Sequence, residues 1–99
     1  MAGYIIFIRR KTHGADGMAR YGELVVASPR ERHGLEMITT RDSKFEIVEG
    51  DIEAEFLTML RFPTIEDARA WYESAEYQEA ISLRQAVSDS TVLIMEGAA

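Results

Sequence analysis

The chain has 99 residues, of which 46% are apolar and 28% charged, a balance typical of one small globular domain rather than of a disordered or fibrous chain. It contains no cysteine, which excludes a disulfide framework, a thiolate metal site and a catalytic thiol. The net charge of −6 argues against nucleic acid as a partner. Neither a membrane-spanning run nor a secretory signal is visible, so we expect a cytoplasmic protein that contacts no membrane.

Three apolar runs predict strands. Residues 4–8 are rich in β-branched and aromatic residues on both faces, which is typical of a central strand, and residues 55–62 and 91–96 resemble them. Between the first two runs, residues 35–49 alternate more weakly, with Phe45 and Ile47 set against charged neighbours. This stretch predicts a bent edge strand or a hairpin.

Two segments predict helices. The first covers residues 16–27, with Asp16 as N-cap and an apolar stripe that includes Met18 and Tyr21. The capping box around Pro29 predicts a break near residue 28, then a short turn that ends at His33 and is closed by Gly34.

The second helical segment follows Pro63, where Thr64 is a cap with a carboxylate, Asp67, three residues later. Ser74 interrupts this segment as a new cap, and helical spacing continues after it through Tyr77 and Arg84. The polar residues 88–90 predict a turn into the last strand.

The resulting order, strand, helix, strand, strand, helix, strand, predicts an α+β chain with the ferredoxin-like βαββαβ antiparallel sheet, in a single domain over residues 1–99. Helices would cover one face of this sheet and leave the other face apolar and bare. A bare apolar face of this size is expected to bury itself against a partner, most simply a second copy packed sheet against sheet. The sequence therefore predicts a homodimer.

Two kinds of polar side chain are candidates for chemistry. His33 either satisfies a helix-end carbonyl or acts as a general acid or base at the mouth of a sheet–helix cleft. Arg84 lies on an apolar helix face, so it either pairs with a carboxylate (Glu36, Glu73 or Glu76) or anchors the carboxylate or enolate of a substrate. Basic residues cluster at residues 9–11 and again at Arg30 and Arg32. They are interpreted as solvated charge at the ends of elements or, alternatively, as a cationic rim for an anionic small molecule.

An aromatic stripe lies at helical spacing and is either core or the wall of a substrate site; its members are Tyr21, Trp71, Tyr72 and Tyr77. The acidic residues between 46 and 55 lack the spacing of a calcium loop, and the histidines lack the spacing of a zinc or iron site. The sequence has no phosphate-binding glycine loop. We therefore expect neither a metal nor a cofactor.

Several phrases resemble a known family, and they lie at residues 46–50, 61–64, 68–72, 74–77, 83–84 and 94–97. The most specific is Phe-Pro-x-x-x-x-Ala-x-x-Trp-Tyr-x-Ser-x-Glu-Tyr, which starts at Phe62, and Tyr21 and His33–Gly34 match more loosely. The chain is identified as similar to the domain-of-unknown-function family 1330, within the dimeric α+β barrel superfamily. The resemblance implies a dimeric α+β barrel.

Relatives in that superfamily include isomerases, cyclases and monooxygenases that act without a cofactor on small aromatic or polyketide-like molecules. By this analogy the chain is expected to catalyse proton transfer beside a carbonyl, with His33, Arg84 and Tyr21 as catalytic residues. Trp71, Tyr72, Tyr77 and Glu36 are then expected to bind the aromatic or carbonyl-containing ligand. The alternative is a dimeric module that binds a small ligand, or scaffolds a partner, without catalysis.

Overall fold

The computed structural model describes residues 1–26 and 33–99 and contains four strands and three helices in this part of the chain. In chain order they are β1 (Gly3–Thr12), α1 (Ala15–Val26), β2 (Glu36–Met37), β3 (Phe56–Phe62), α2 (Ile65–Tyr72), α3 (Ala75–Val87) and β4 (Ser88–Glu96).

The strands form one antiparallel sheet in the order β2-β3-β1-β4, so the two most apolar strands are central. Ile5 pairs with Leu60 on one side and with Ile94 on the other. This order and the α+β composition confirm the predicted ferredoxin-like fold.

The two faces of the sheet differ because successive side chains of a strand point in opposite directions. Ile5, Phe7, Leu60 and Phe62 point towards the helices and are buried. Trp71, which is fully buried, packs against this face. The opposite face, which we call the open face, is apolar and carries Tyr4, Ile6, Ile8, Leu57, Met59, Leu93 and Met95.

Local capping fixes where α2 and α3 begin, as the sequence predicts. The Thr64 hydroxyl accepts a hydrogen bond from the Asp67 N–H at 3.1 Å and donates one to the Asp67 carboxylate at 2.9 Å. The Ser74 hydroxyl accepts from the Tyr77 N–H at 3.3 Å. These bonds satisfy amide groups that the first turn of a helix leaves without partners.

Three local predictions are wrong. The first helix begins at Ala15 rather than after Asp16, and the Gly14 carbonyl accepts its first hydrogen bond, from the Met18 N–H. Residues 88–90 form the start of β4 instead of a turn, because the Ser88 hydroxyl donates to the Arg84 carbonyl and so closes α3 directly. Residues 38–55 form neither helix nor strand, and the edge strand is two residues long.

Gly34 adopts a φ of +68°, the left-handed conformation that a glycine closing a helix uses. Residues 28–32 of the turn predicted before it lie outside the described residues. A membrane-spanning helix would need to be longer and more apolar than any helix in the described ranges.

Candidate functional site

A cavity of about 220 Å³ lies between the sheet and α1 and is mostly apolar. Its floor comes from β1 and β3 through Phe7, Arg9 and Phe56, and its roof comes from α1 through Tyr21 and Gly22. Thr40 and Arg41, from the irregular segment after β2, and the buried Trp71 also line it. An apolar cavity of about 150 Å³ is enough to bind benzene, so this one suits a small aromatic molecule.

Arg9 brings a buried positive charge into this cavity. Arg9 is 4% exposed, and its guanidinium lies 4.7 Å from the centre of the Phe56 ring. Its Nε donates to the Ser90 hydroxyl at 3.2 Å, and one terminal nitrogen lies 3.0 Å from the sulfur of Met18. Within the described residues, none of the carboxylates lies within 4.0 Å of this guanidinium.

A buried guanidinium without a carboxylate partner is electrostatically costly. Burial lowers the pKa of Arg9 below its usual value, and the positive charge of Arg84 acts in the same direction. Because arginine nevertheless stays charged in proteins, Arg9 gives the cavity a net attraction for anions.

Tyr21 and Tyr77 place a pair of hydroxyl groups beside the same cavity. Their oxygen atoms are 2.7 Å apart, and either hydroxyl is able to donate to the other. Tyr21 lines the cavity, whereas Tyr77 is fully buried behind it, with its ring centre 4.1 Å from that of Trp71. Burial raises the pKa of both phenols, so they remain protonated and act as hydrogen-bond donors.

Arg84 lies in a second, more polar cavity of about 380 Å³ at the junction of α3 and β4. The carboxylate partner expected for it is not found among the described glutamates and aspartates. Its guanidinium lies 6.0 Å from the centre of the Phe7 ring, and its charge favours the ionised form of both Tyr21 and Tyr77.

The structure therefore divides the residues predicted from the sequence. Tyr21 and Trp71 line the first cavity, Tyr77 lies directly behind it, and Tyr72 lines the second cavity with Arg84.

Two of the predicted residues lie elsewhere. Glu36, on β2, pairs with Arg61 at 3.2 Å on the exposed side of the sheet edge. His33 is partly buried just before Gly34 and is not among the residues that line either cavity.

Arg9 was not among the predicted site residues, because solvated charge was preferred for it over the alternative of a cationic rim for an anionic small molecule. The signal was in the alternation of β1, where Ile5, Phe7 and Arg9 fall on the same face. A charged residue in register with two core residues predicts a buried charge and hence a functional position.

No three His, Asp or Glu side chains of residues 1–26 and 33–99 are grouped so that they could hold a metal ion. The polar residues among the described ones that line the first cavity are instead two arginines, one tyrosine and two threonines: Arg9, Arg41, Tyr21, Thr40 and Thr58. This set is suited to an oxygen anion or a carbonyl oxygen.

The family model of DUF1330, a domain of unknown function, matches residues 2–98. The chain belongs to this family. The match confirms the resemblance carried by the phrases around Phe62 and extends it over nearly the whole chain. A search of curated proteins finds no match.

Solved structures that are similar to this DUF1330 chain share its fold at low sequence identity. A protein of unknown function from Rhodopseudomonas palustris has a TM-score of 0.66 and 17% identity, with 99% of this chain and 83% of that chain covered. A dimeric ferredoxin-like protein from Jannaschia has a TM-score of 0.65 and 14% identity, with 98% and 100% covered. SnoaB, a cofactor-independent oxygenase from Streptomyces nogalater, has a TM-score of 0.55 and 11% identity, with 99% and 93% covered.

Proposed function

We propose that the protein is a small cofactor-independent enzyme that binds an aromatic or enolic compound in the first cavity and catalyses proton transfer at its carbonyl group. The observation that carries this proposal is Arg9, a buried cation that faces an apolar cavity and has no carboxylate partner among the described residues. One protein of the same fold is a cofactor-independent oxygenase, which supports catalysis without a cofactor on this fold.

The charge of Arg9 favours the anionic form of a bound enol or phenol. In an apolar cavity, a fixed positive charge stabilises a developing negative oxygen more strongly than it would in water. The guanidinium carries five N–H donors, of which the described contacts to Ser90 and Met18 use two. The remaining donors are available to the oxygen of a ligand.

The tyrosine pair supplies a second donor. When the Tyr77 hydroxyl donates to Tyr21, the proton of Tyr21 is free to point into the cavity. Because burial keeps this phenol protonated, it donates to a carbonyl oxygen in the ground state and to the enolate oxygen after proton loss.

The lining residues also restrict the substrate. Among the described residues that line the first cavity, there is no carboxylate and no histidine to remove a carbon-bound proton. The substrate that fits is therefore acidic in itself, such as a phenol or a 1,3-dicarbonyl with an acidic central carbon. It loses its proton to water, Arg9 stabilises the anion that is left, and a proton from water restores the neutral compound. His33 as the base stays a prediction.

We also infer that the functional unit is a homodimer formed through the open face. Leu93 and Met95 are 44% and 57% exposed there, next to the central strand β1. An apolar sheet face of this extent is expected to pair with its own copy about a two-fold axis. The Jannaschia protein of the same fold is dimeric, which supports this occupant over an unrelated partner.

A ligand-binding module without catalysis is the second candidate, and the missing base among the described lining residues is the observation that favours it. Both candidates place the ligand in the same cavity. Catalysis of proton transfer is what distinguishes them.

Binding is tested with 4-nitrophenol, whose ionisation changes its visible absorbance. Bound in the cavity, it should ionise about 1 pKa unit below its value in free solution, which corresponds to about 1.4 kcal/mol of stabilisation by Arg9. The variant Arg9→Met should abolish this shift, and an unchanged shift would show that the cation does not act on the ligand.

Gly22 offers a matched pair of control variants. A Cβ atom added at this helical glycine meets nothing within 4 Å, so Gly22→Ala should bind 4-nitrophenol as the wild type does. Gly22→Leu should occupy the space at the roof of the cavity and weaken binding at least tenfold. Equal binding by all three proteins would place the ligand elsewhere.

Catalysis is tested by following hydrogen–deuterium exchange at the central carbon of 1,3-cyclohexanedione by NMR. If the protein is an enzyme, the exchange should be faster with the wild type than with Arg9→Met or without protein. Binding of 4-nitrophenol without accelerated exchange would identify the protein as the non-catalytic module.

A further inference from the structure

The second cavity, at the junction of α3 and β4, has a chemistry that the proposed function does not use. The described residues that line it are all different from those that line the first cavity. Its walls are mainly polar, and the residues that line it include Arg10, Arg84, Gln85, Ser88 and Ser90.

Arg84 is the unusual residue of this cavity. It is 4% exposed, yet its Nε makes no hydrogen bond, and no carboxylate of the described residues lies within 4.0 Å of its guanidinium. Its guanidinium carbon lies 6.0 Å from the centre of the Phe7 ring, a distance at the outer limit of cation–π contacts. A buried cation of this kind requires an acceptor that the described chain does not supply.

The serine hydroxyls show where that acceptor would lie. The Ser88 hydroxyl donates to the Arg84 carbonyl at 2.7 Å, so its proton is used. The Ser90 hydroxyl accepts from Arg9 Nε at 3.2 Å, and its distance to the Ser88 oxygen, 3.4 Å, is long for a hydrogen bond. The proton of Ser90 is therefore available to a further acceptor.

The other charged groups at the second cavity do not neutralise the positive charge of Arg84 near Ser90. Arg10 donates to the Thr91 hydroxyl at 2.6 Å and lies on the exposed rim. Asp89, the one carboxylate among the described lining residues, is half exposed, and its Oδ2 lies 3.2 Å from His13 Nε2. Its charge is thus directed at His13 rather than at Arg84.

We propose that the second cavity is a binding site for a small oxyanion, held by the guanidinium of Arg84 and the hydroxyl of Ser90. The polar walls fit a phosphate or carboxylate group rather than an aromatic ring, and arginine presents paired N–H groups that match both. The site lies behind the first cavity, and the Ser90–Arg9 hydrogen bond joins the two.

The probe is sodium phosphate, compared with sodium chloride at equal ionic strength, and the measurement is thermal unfolding of the full chain. Phosphate should raise the melting temperature of the wild type in a saturable way, because a ligand that binds only the folded state stabilises it. Arg84→Met should weaken this response at least tenfold, whereas Arg69→Met, the same change at an exposed helical position, should keep it.

Arg84→Met also separates binding from a structural role. In buffer that contains chloride only, it should melt no lower than the wild type, because the change removes an unpaired buried charge. A response of Arg84→Met to phosphate equal to that of the wild type would overturn the proposal, whatever the melting temperature in chloride. An equal effect of chloride and phosphate would overturn it as well, since it would reflect screening alone.

If Arg84→Met does not fold, Arg10→Met on the rim is used instead and should weaken phosphate binding several-fold. Phosphate binding by Arg10→Met equal to that of the wild type would count against the site. Sodium acetate and glycerol phosphate complete the comparison. Response to acetate assigns the site to carboxylic acids, and response to glycerol phosphate assigns it to phosphate esters. Ionisation of 4-nitrophenol in the first cavity is measured in the same samples, so failure of one site is distinguishable from failure of the other.

Discussion

The hydroxyl pair of Tyr21 and Tyr77 should respond unequally to removal of either partner. Tyr21→Phe leaves the Tyr77 hydroxyl without its partner at a fully buried position, where an orphaned polar group costs about 2 kcal/mol. Tyr77→Phe leaves the Tyr21 hydroxyl facing the cavity, where water is able to replace the lost partner, so the cost should fall to about 0.5–1 kcal/mol. The difference of about 1 kcal/mol corresponds to about 4–8 °C in melting temperature for a domain of this size.

The double variant completes the reasoning. When both hydroxyls are absent, no orphaned group remains, so the double variant should be more stable than Tyr21→Phe alone. Urea unfolding, followed by the fluorescence of the single tryptophan, Trp71, measures all four proteins at one fixed protomer concentration. Equal losses for the two single variants, or additive losses in the double variant, would refute the geometry of the pair.

The buried phenols and the open face each lead to a further prediction. Because burial raises the pKa of Tyr21 and Tyr77 in the folded state, the unfolded chain loses these protons first as the pH rises above about 10. The two phenols should therefore leave the free energy of unfolding unchanged below pH 9 and lower it above that pH, by up to about 1.4 kcal/mol per pH unit for each phenol. The fall should be shallower in Tyr77→Phe, and urea titrations that give identical slopes for the variant and the wild type would contradict this prediction. On the open face, Leu93→Asp should weaken self-association more than a hundredfold, as measured by light scattering, because burying a carboxylate costs several kcal/mol. The control Ser82→Asp, on the exposed side of α3, should leave self-association unchanged. A wild-type protein that is monomeric at micromolar concentration would disprove the dimer.

The sequence predicted most of the fold because the dominant signals were local. The apolar runs of β1, β3 and β4 identify their strands without reference to other parts of the chain, and the caps at Thr64 and Ser74 are set by hydrogen bonds within one turn. The alternation around Phe45 and Ile47 was misleading, because a strand also needs a neighbour with free backbone groups. On its side away from β1, β3 pairs as a strand with two of the described residues, Glu36 and Met37.

The candidate site was harder to predict because its polar residues come from distant parts of the chain. The aromatic walls were visible in the helix spacing, but the position of Arg9 beside Phe56 depends on the register between β1 and β3. Likewise, the sequence predicted for Arg84 either a carboxylate partner within the chain or the anion of a substrate. Only the three-dimensional arrangement shows that the described acidic residues lie elsewhere.

The direct passage from α3 into β4 makes the length of the chain critical at Val87 and Ser88. A strand alternates its side chains with a period of two, so one residue inserted here would turn the whole of β4 over. Val92 and Ile94 would then leave the core, and Leu93 and Met95 would be forced into it. Natural variation in length is therefore expected in the irregular residues 38–55 and excluded at this junction.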